Sequence, residues 1–424
     1  MNLDIKMAII PIGEKWDESI KKRFDEKLKK LPKRIRIYKK EPIINEVDIL
    51  EESEKLSLLE PDVLLLVALH GGSARAMVFA ATRINVPTII WCHNKYHSLA
   101  SSSLTKQALC QLGKKCHLII GDDKKAYRKL LTAAVAGGTV KVLSKSRIGQ
   151  LGPIHFNLIG TEVNPLNVMK QYGSWIVPIY ISELKRKVNE INLDNVEEFI
   201  LKIRDWCQVN VEDNILRKAV KIHLALKEIS QEKKLSIIAL DCWNELMPEF
   251  LVSPCIGFVE DSYRIACERD IALAVLSIVG NSIHGKVGYT GDLYSFNEET
   301  GIATFMHCGS YRELHSLKNK MEIVSKPPLF ISSREGEIIS CHPILKNGIG
   351  TIVILHGIEI NRLHIKRCEI LNTDFSEHMK VTVRILDDAN LFLKEISGNH
   401  YTIFQGDYFD YWKLWAEWSN VKIN

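Results

Sequence analysis

No charge of one sign dominates the 424 residues: 56 basic side chains stand against 51 acidic ones, for a net charge of +5. That near balance excludes the broad single-sign field of a nucleic-acid surface, and no nucleic-acid partner is expected. The basic stretch Lys21 to Lys40 is interleaved with Leu28, Leu31, Ile35 and Ile37, which makes it a solvated helix followed by a strand rather than a binding arm. Long apolar runs are missing as well. The longest, Val63 to Leu69 and Ile271 to Val279, fall far short of the ~20 residues that cross a bilayer, so no membrane partner is expected. The ten cysteines contain no CxxC pair, which removes the spacing of zinc knuckles and dithiol redox sites. Set in apolar segments such as Trp91-Cys92 and Ala266-Cys267, they read as small buried hydrophobes in a reducing compartment. The chain enters Met7 to Ile12 without the charged, apolar and small-residue order of a signal peptide, and a cytoplasmic location is the expectation.

Phosphate-binding and acyl-transfer motifs are also lacking. Leu69-His70-Gly71-Gly72-Ser73 follows an expected strand and opens an expected helix, so its backbone N–H groups are suited to an anion or a hydroxyl. It has neither the GxGxxG nor the Walker spacing, and a tight turn alone explains its glycines. The GxSxG elbow of a serine hydrolase is absent; Gly280-Asn281-Ser282-Ile283-His284-Gly285 has the wrong spacing.

What is there is an alternation of short Ile- and Val-rich runs with amphipathic stretches up to about residue 285, the pattern of parallel sheets covered by helices. Strands are expected at Met7 to Ile12, Arg34 to Tyr38, Val63 to Leu69, Thr88 to Cys92 and His117 to Ile120, with helices around Glu18 to Lys30, Ala74 to Arg83, Leu104 to Leu112 and Ala126 to Ala136. A second block places strands at Ser146 to Leu151, Trp175 to Ile181 and Leu235 to Leu240. Its helices are expected at Pro165 to Tyr172, Val196 to Trp206, Asn214 to Ile229 and Tyr263 to Val279. Beyond Gly285 the runs Ile302 to Met306, Thr351 to Leu355, Ile358 to Ile365 and Lys380 to Ile385 are short, β-branched and punctuated by Gly, Asn and Asp, as in antiparallel sheets. The expected fold is α/β, with two flavodoxin- or Rossmann-like α/β domains (1–144 and 145–286) followed by a β-rich, barrel-like C-terminal domain (287–424). The aromatic tail Asp407 to Ser419 reads as a packing helix.

The candidate chemistry lies in three separated segments: Cys267-Glu268-Arg269-Asp270 in the helical run, Gly291-Asp292 downstream, and Gly398-Asn399-His400 near the C-terminus, with His307-Cys308-Gly309 between them. Two carboxylates and a histidine suit Mn²⁺, Mg²⁺, Co²⁺ or Fe²⁺. The bland reading is that Glu268 and Asp292 are solvated surface carboxylates and His400 a satisfied core histidine.

These segments, together with Asp241-Cys242-Trp243, Pro254-Cys255 and the closing Tyr401, resemble the L-fucose isomerase and L-arabinose isomerase superfamily of metal-dependent aldose-ketose isomerases. The resemblance covers the C-terminal half by motif and the N-terminal half by architecture only. It implies a divalent metal, Mn²⁺ first, held by Glu268, Asp292 and His400, with Glu268 and Asp292 also serving as the acid-base pair of an enediol reaction. It implies that Trp243, His307 and Asn399 shape the sugar pocket, and His307 is either a fourth ligand or a partner of a sugar hydroxyl. It further implies a homo-oligomer, trimer or hexamer, in which the first domain of one subunit helps close its neighbour's site; His70, His93 and His97 are the candidates there. The sequence departs from the pattern at Arg269, where the family usually has glycine, and at Ser262, where a glycine commonly precedes the helix. Arg269 either narrows the pocket or meets an anionic substrate group, or else it faces solvent or pairs with a carboxylate. The chain is also much shorter than fucose isomerases, so the identity of the sugar does not transfer. Two other functions stay open: a non-catalytic sugar-binding or regulatory protein on the same scaffold, and an isomerase or epimerase of an acidic or substituted sugar.

Overall fold

The computed structural model describes residues 4–153, 158, 162–260, 264–316, 321–326, 338–357 and 359–424. It divides into two compact units. One comprises residues 2–142 and 410–419, and the other residues 143–409 and 420–424.

The first unit is built on five strands, β1 (Ile5–Ile12), β2 (Ile35–Lys39), β3 (Val63–Ala68), β4 (Thr88–Cys92) and β5 (Cys116–Ile120), in the order β2-β1-β3-β4-β5. All neighbouring strands are parallel. β3 and β4 are buried along their whole length, as continuous apolar runs covered on both faces must be. Asp17 opens the helix Glu18–Lys29 by accepting from the backbone N–H groups of Ser19 and Ile20, an N-cap its position predicts. The aromatic tail is the helix Phe409–Trp418, whose Trp412, Trp415 and Trp418 are fully buried. A cavity of about 350 Å³ opens at the carboxyl ends of β1 and β3, lined by Glu14, Trp16, Asp17, His70 and Tyr96.

The second unit holds a parallel sheet and a barrel. Strands β6 (Arg147–Leu151), β7 (Trp175–Ile179), β8 (Cys207–Asn210), β9 (Ile237–Leu240) and β10 (Ile265–Ala266) come first, and all but β8 form the parallel sheet β10-β9-β6-β7. The remaining strands are β11 (Tyr289–Asn297), β12 (Ile302–His307), β13 (Met321–Lys326), β14 (Ile338–His342), β15 (Gly348–His356), β16 (Arg362–Asp374), β17 (Met379–Ile385), β18 (His400–Gln405) and β19 (Lys422–Ile423). Six of them run antiparallel in the order β15-β18-β11-β12-β17-β16, and the β15–β16 pairing closes the ring. Closure leaves no exposed edges within the ring. β8 joins β13 and β14 in a small separate sheet.

Most of the expected elements recur with shifted ends. The helix Pro165–Tyr172 coincides with its expectation, fixed by Asn164 as cap, Pro165 in the first turn and Gly173 in the left-handed conformation at its end. One expectation is corrected: the helix thought to carry Glu268 starts only at Ile271 and ends at His284. Tyr263, its expected first residue, lies outside the described residues, as do Ser262 and residue 358 at the head of another expected strand. No helix among the described residues is long and apolar enough to cross a membrane.

Candidate metal centre

Glu268 sits in the short turn Cys267–Arg269 between β10 and the helix Ile271–His284. Its φ is 55° and that of Arg269 is 59°, two consecutive non-glycine residues in the left-handed region, where side chains are disfavoured. The turn ends at Asp270, whose Oδ1 accepts from Leu273 N at 3.0 Å and starts the helix. The other groups come from the barrel. Asp292 on β11 stands directly opposite His400 on β18, and pairs on its other side with Met306, the residue before His307 at the end of β12. Register thus brings three side chains from distant parts of the sequence to one end of three adjoining strands.

Glu268, His307 and His400 each present a donor atom, all within 4.8 Å of one another. Nε2 of His400 is 3.6 Å from Oε2 of Glu268 and 4.0 Å from Oδ1 of Asp292. The rings of His307 and His400 lie 5.7 Å apart. Asn399 donates from Nδ2 to Oε2 of Glu268 at 3.2 Å. Nδ1 of His400 is 2.9 Å from Oδ2 of Asp270; donation there leaves Nε2 to face the carboxylates.

Electrostatics follow from this crowding. Burial alone would push the pKa of His400 down, but the hydrogen bond to Asp270 and the charges of Glu268 and Asp292 outweigh it and raise the value to about 9. Glu268 is raised by burial and by the repulsion of Asp292, Asp270 and Asp241, against the lowering effect of His400. Asp292 is raised by burial and by Asp270, with His400 again opposing. His307 is held neutral, its pKa lowered to about 3 by burial and by His400 and His378. Oδ1 of Asp292 is buried and has no hydrogen-bond partner. An unsatisfied buried carboxylate oxygen 4.0 Å from His400 Nε2, next to the Glu268, His307 and His400 donors, is an environment a divalent cation resolves. Cys242, Cys255 and Cys267 lie buried and Cys308 half-buried around the turn, and desolvation raises every one of these thiols. The group whose geometry could hold an ion is one of nitrogen and oxygen donors, Glu268, His307 and His400.

The structure therefore brings together Glu268, Asp292, His400, His307 and Asn399. Trp243 lies in a single π-helical turn, Cys242–Leu246, that packs on the turn bearing Glu268 and is opened by Oδ1 of Asp241. His70 and His97 belong to the other compact unit. There His70 accepts from Glu14 N at 3.0 Å, and His97, at φ 56°, precedes the helix Ser98–Gln111. Asp270 was not among the expected site residues. An aspartate before an apolar helix carries the signature of an N-cap, but its second contact, to His400, depends on a strand 130 residues away. Gln150, which meets Arg269, was also unforeseen.

No family model matches the chain. Over 267 residues it is 22% identical to a sulfoquinovose isomerase of Alkalicoccus urumqiensis, which covers 59% of this chain and 60% of that protein. Sulfoquinovose isomerases of Priestia aryabhattai and Priestia megaterium match at 22% identity over 59% of each chain. The match thus spans about three-fifths of the length of these curated relatives. Among solved structures, a periplasmic solute-binding protein of Actinobacillus succinogenes with bound D-allose aligns with a TM-score of 0.20 at 14% identity, over 66% of this chain and 91% of that one. One from Agrobacterium vitis with bound D-fucose gives 0.18 at 15% identity, over 58% and 79%. At those scores neither carries an argument.

Proposed function

We propose that this chain is a metal-dependent aldose-ketose isomerase acting on a sugar through an enediol. The observation that carries the reading is the convergence of Glu268, His307 and His400 beside the orphaned Oδ1 of Asp292. The names of the curated relatives support the same reaction class.

Glu268, Asp292 and His400 would hold a divalent cation, Mn²⁺ first among Mg²⁺, Co²⁺ and Fe²⁺, and His307 is placed to join them. Such an ion, when bound, polarises a carbonyl and makes the neighbouring C–H more acidic. Glu268 and Asp292 then supply the carboxylates that take a proton from one carbon and return it to the next. Both have pKa values raised by burial, the direction that makes a carboxylate a better proton acceptor. Asn399 orients Glu268 through its amide, and Asp270 fixes the tautomer of His400. Trp243 belongs to the substrate-binding set beside Glu268; on the family resemblance alone, a homo-oligomer is proposed in which His70 and His97 of one subunit serve the site of its neighbour.

The test is turnover of neutral and acidic aldoses by chelator-treated protein with and without Mn²⁺, following ketose formation and entry of solvent deuterium into the sugar. Mn²⁺-dependent exchange at the carbon beside the carbonyl, abolished by Glu268→Gln with the fold intact, is the expected result. Exchange that persists in Glu268→Gln would sink the assignment, and binding without exchange in the wild type would favour a sugar-binding protein.

A further inference from the structure

The residue after Glu268 is an arginine in a backbone conformation suited to glycine, with φ at 59°. That conformation costs free energy which a glycine would avoid. The side chain is half-buried. With the Gln150 amide turned so that its oxygen accepts, Nη2 of Arg269 lies 2.8 Å and Nε 3.2 Å from it. Gln150 is neutral, so it steers the guanidinium without cancelling its charge. Among the described residues no carboxylate stands within ion-pair distance of Arg269, and Glu162 and Asp241 act on it only from further off. A guanidinium carries five N–H donors, and the amide oxygen takes two of them, leaving the rest of the fork open.

Its place in the fold is the second observation. Gln150 lies in β6 beside Ala239 of β9, Asp241 follows the end of β9, and Arg269 follows the end of β10. The group therefore stands at the carboxyl edge of three neighbouring parallel strands, where open α/β sheets receive ligands. It is also one residue from the proposed acid-base carboxylate.

We infer that Arg269, oriented by Gln150, binds an anionic substituent of the sugar, so that the substrate is an acidic aldose whose oxyanion lies away from the reacting carbonyl. This rests on the isomerase reading above. A planar fork matches sulfonate, phosphate and carboxylate oxygens alike, and sulfoquinovose, the sugar in the names of the curated relatives, is a sulfonate.

The test compares glucose, sulfoquinovose, glucose 6-phosphate and glucuronate on the Mn²⁺-loaded full chain and on Arg269→Gln, Arg269→Lys and Arg269→Gly, by kcat/KM and by calorimetric binding. One acidic sugar should be preferred by the wild type. Arg269→Gln and Arg269→Gly should lose on the order of 100-fold more on that sugar than on glucose, mainly through KM, as expected when a desolvated charge loses its partner, with Lys restoring part. Arg269→Gly should melt no lower than the wild type, because it relieves the left-handed arginine. Equal losses on acidic and neutral sugars, or a wild type indifferent to the anion, would overturn the inference. If no sugar turns over, the isomerase reading fails and calorimetry alone decides: acidic-sugar binding lost in Arg269→Gln upholds the anion site, and equal binding removes it.

Discussion

One carboxylate, that of Asp270, serves two elements: Oδ1 caps the helix Ile271–His284 through Leu273, and Oδ2 holds Nδ1 of His400 at 2.9 Å. The helix start and the barrel are thereby tied to the same side chain, and His400 is presented with Nε2 toward Glu268 and Asp292. Asp270→Asn retains a good N-cap, since Asn and Asp cap about equally well, but offers His400 a weaker, uncharged acceptor. Mn²⁺ affinity measured by calorimetry should fall by roughly 10–100-fold, as is usual when the partner of a ligating histidine is lost. The chelator-treated protein should also melt lower at pH 7, because the charged His400 loses the partner that raises its pKa to about 9. Unaltered affinity would mean that Asp270 serves the helix alone.

Asp292 supplies the next test. Its Oδ1 is buried and unsatisfied beside Glu268 and Asp270, but the side chain is 45% exposed, so the cost falls below the ~1–3 kcal/mol of a fully buried group. Asp292→Ala should therefore leave the metal-free protein as stable as the wild type or slightly more so, while cutting the stabilisation that metal brings. Saturation at a hundred times Kd adds about 2.7 kcal/mol to a protein whose folded state alone binds the ion. Thermal melts with and without Mn²⁺ read both effects, and a full Mn²⁺-induced shift in Asp292→Ala would remove Asp292 from the ligand set.

The parallel sheets and much of the barrel were legible because their signals are local. β3 is a buried aliphatic run, and the helix Pro165–Tyr172 carries its own start and stop residues. The turn at Glu268 was not. Glu268 and Arg269 adopt left-handed angles without a glycine to mark them, so an apolar run that reads as one helix is broken at Glu268. β8 escaped notice because its partner β13 lies more than a hundred residues away, and nothing in Cys207–Asn210 alone separates it from a loop. Residue type and motif resemblance single out Glu268, Asp292 and His400 as candidates, and the structure places them near one another. The closeness of His307 and the second contact of Asp270 depend on strand register, which sequence alone does not specify.

Away from the site, Glu260 gives a prediction with a definite sign. Burial would raise its pKa, but His223 Nε2 at 3.0 Å and Lys227 Nζ at 2.9 Å, both from the helix Asp213–Glu232, outweigh that and hold it at about 2, below the usual 4.5. A carboxylate depressed in the folded state contributes stability that is fully present above its unfolded pKa and lost as pH falls through the folded value. Glu260→Gln should thus melt lower than the wild type at pH 7, and the difference should shrink between pH 4.5 and about 2. A difference independent of pH would show that packing, not charge, sets the effect.

The helix Ile271–His284, capped by Asp270, is held against the barrel through a glycine. A Cβ on Gly280 would stand 2.1 Å from Cζ of Phe404 on β18, and that ring is buried and stacked on His284 at 4.0 Å, so it has no room to retreat. In an unencumbered helix Gly→Ala gains about 1 kcal/mol; here overpacking of about 1–3 kcal/mol opposes it. Gly280→Ala should therefore lower the melting temperature. Because the same helix carries Asp270 at its start while His400 lies on β18, pushing the two apart should also weaken Mn²⁺ binding, which a substitution that only destabilised the fold would leave intact in the folded fraction. Calorimetry below the melting transition separates the two: reduced affinity ties the helix position to the site, and unchanged affinity with a lowered melting temperature confines Gly280 to packing.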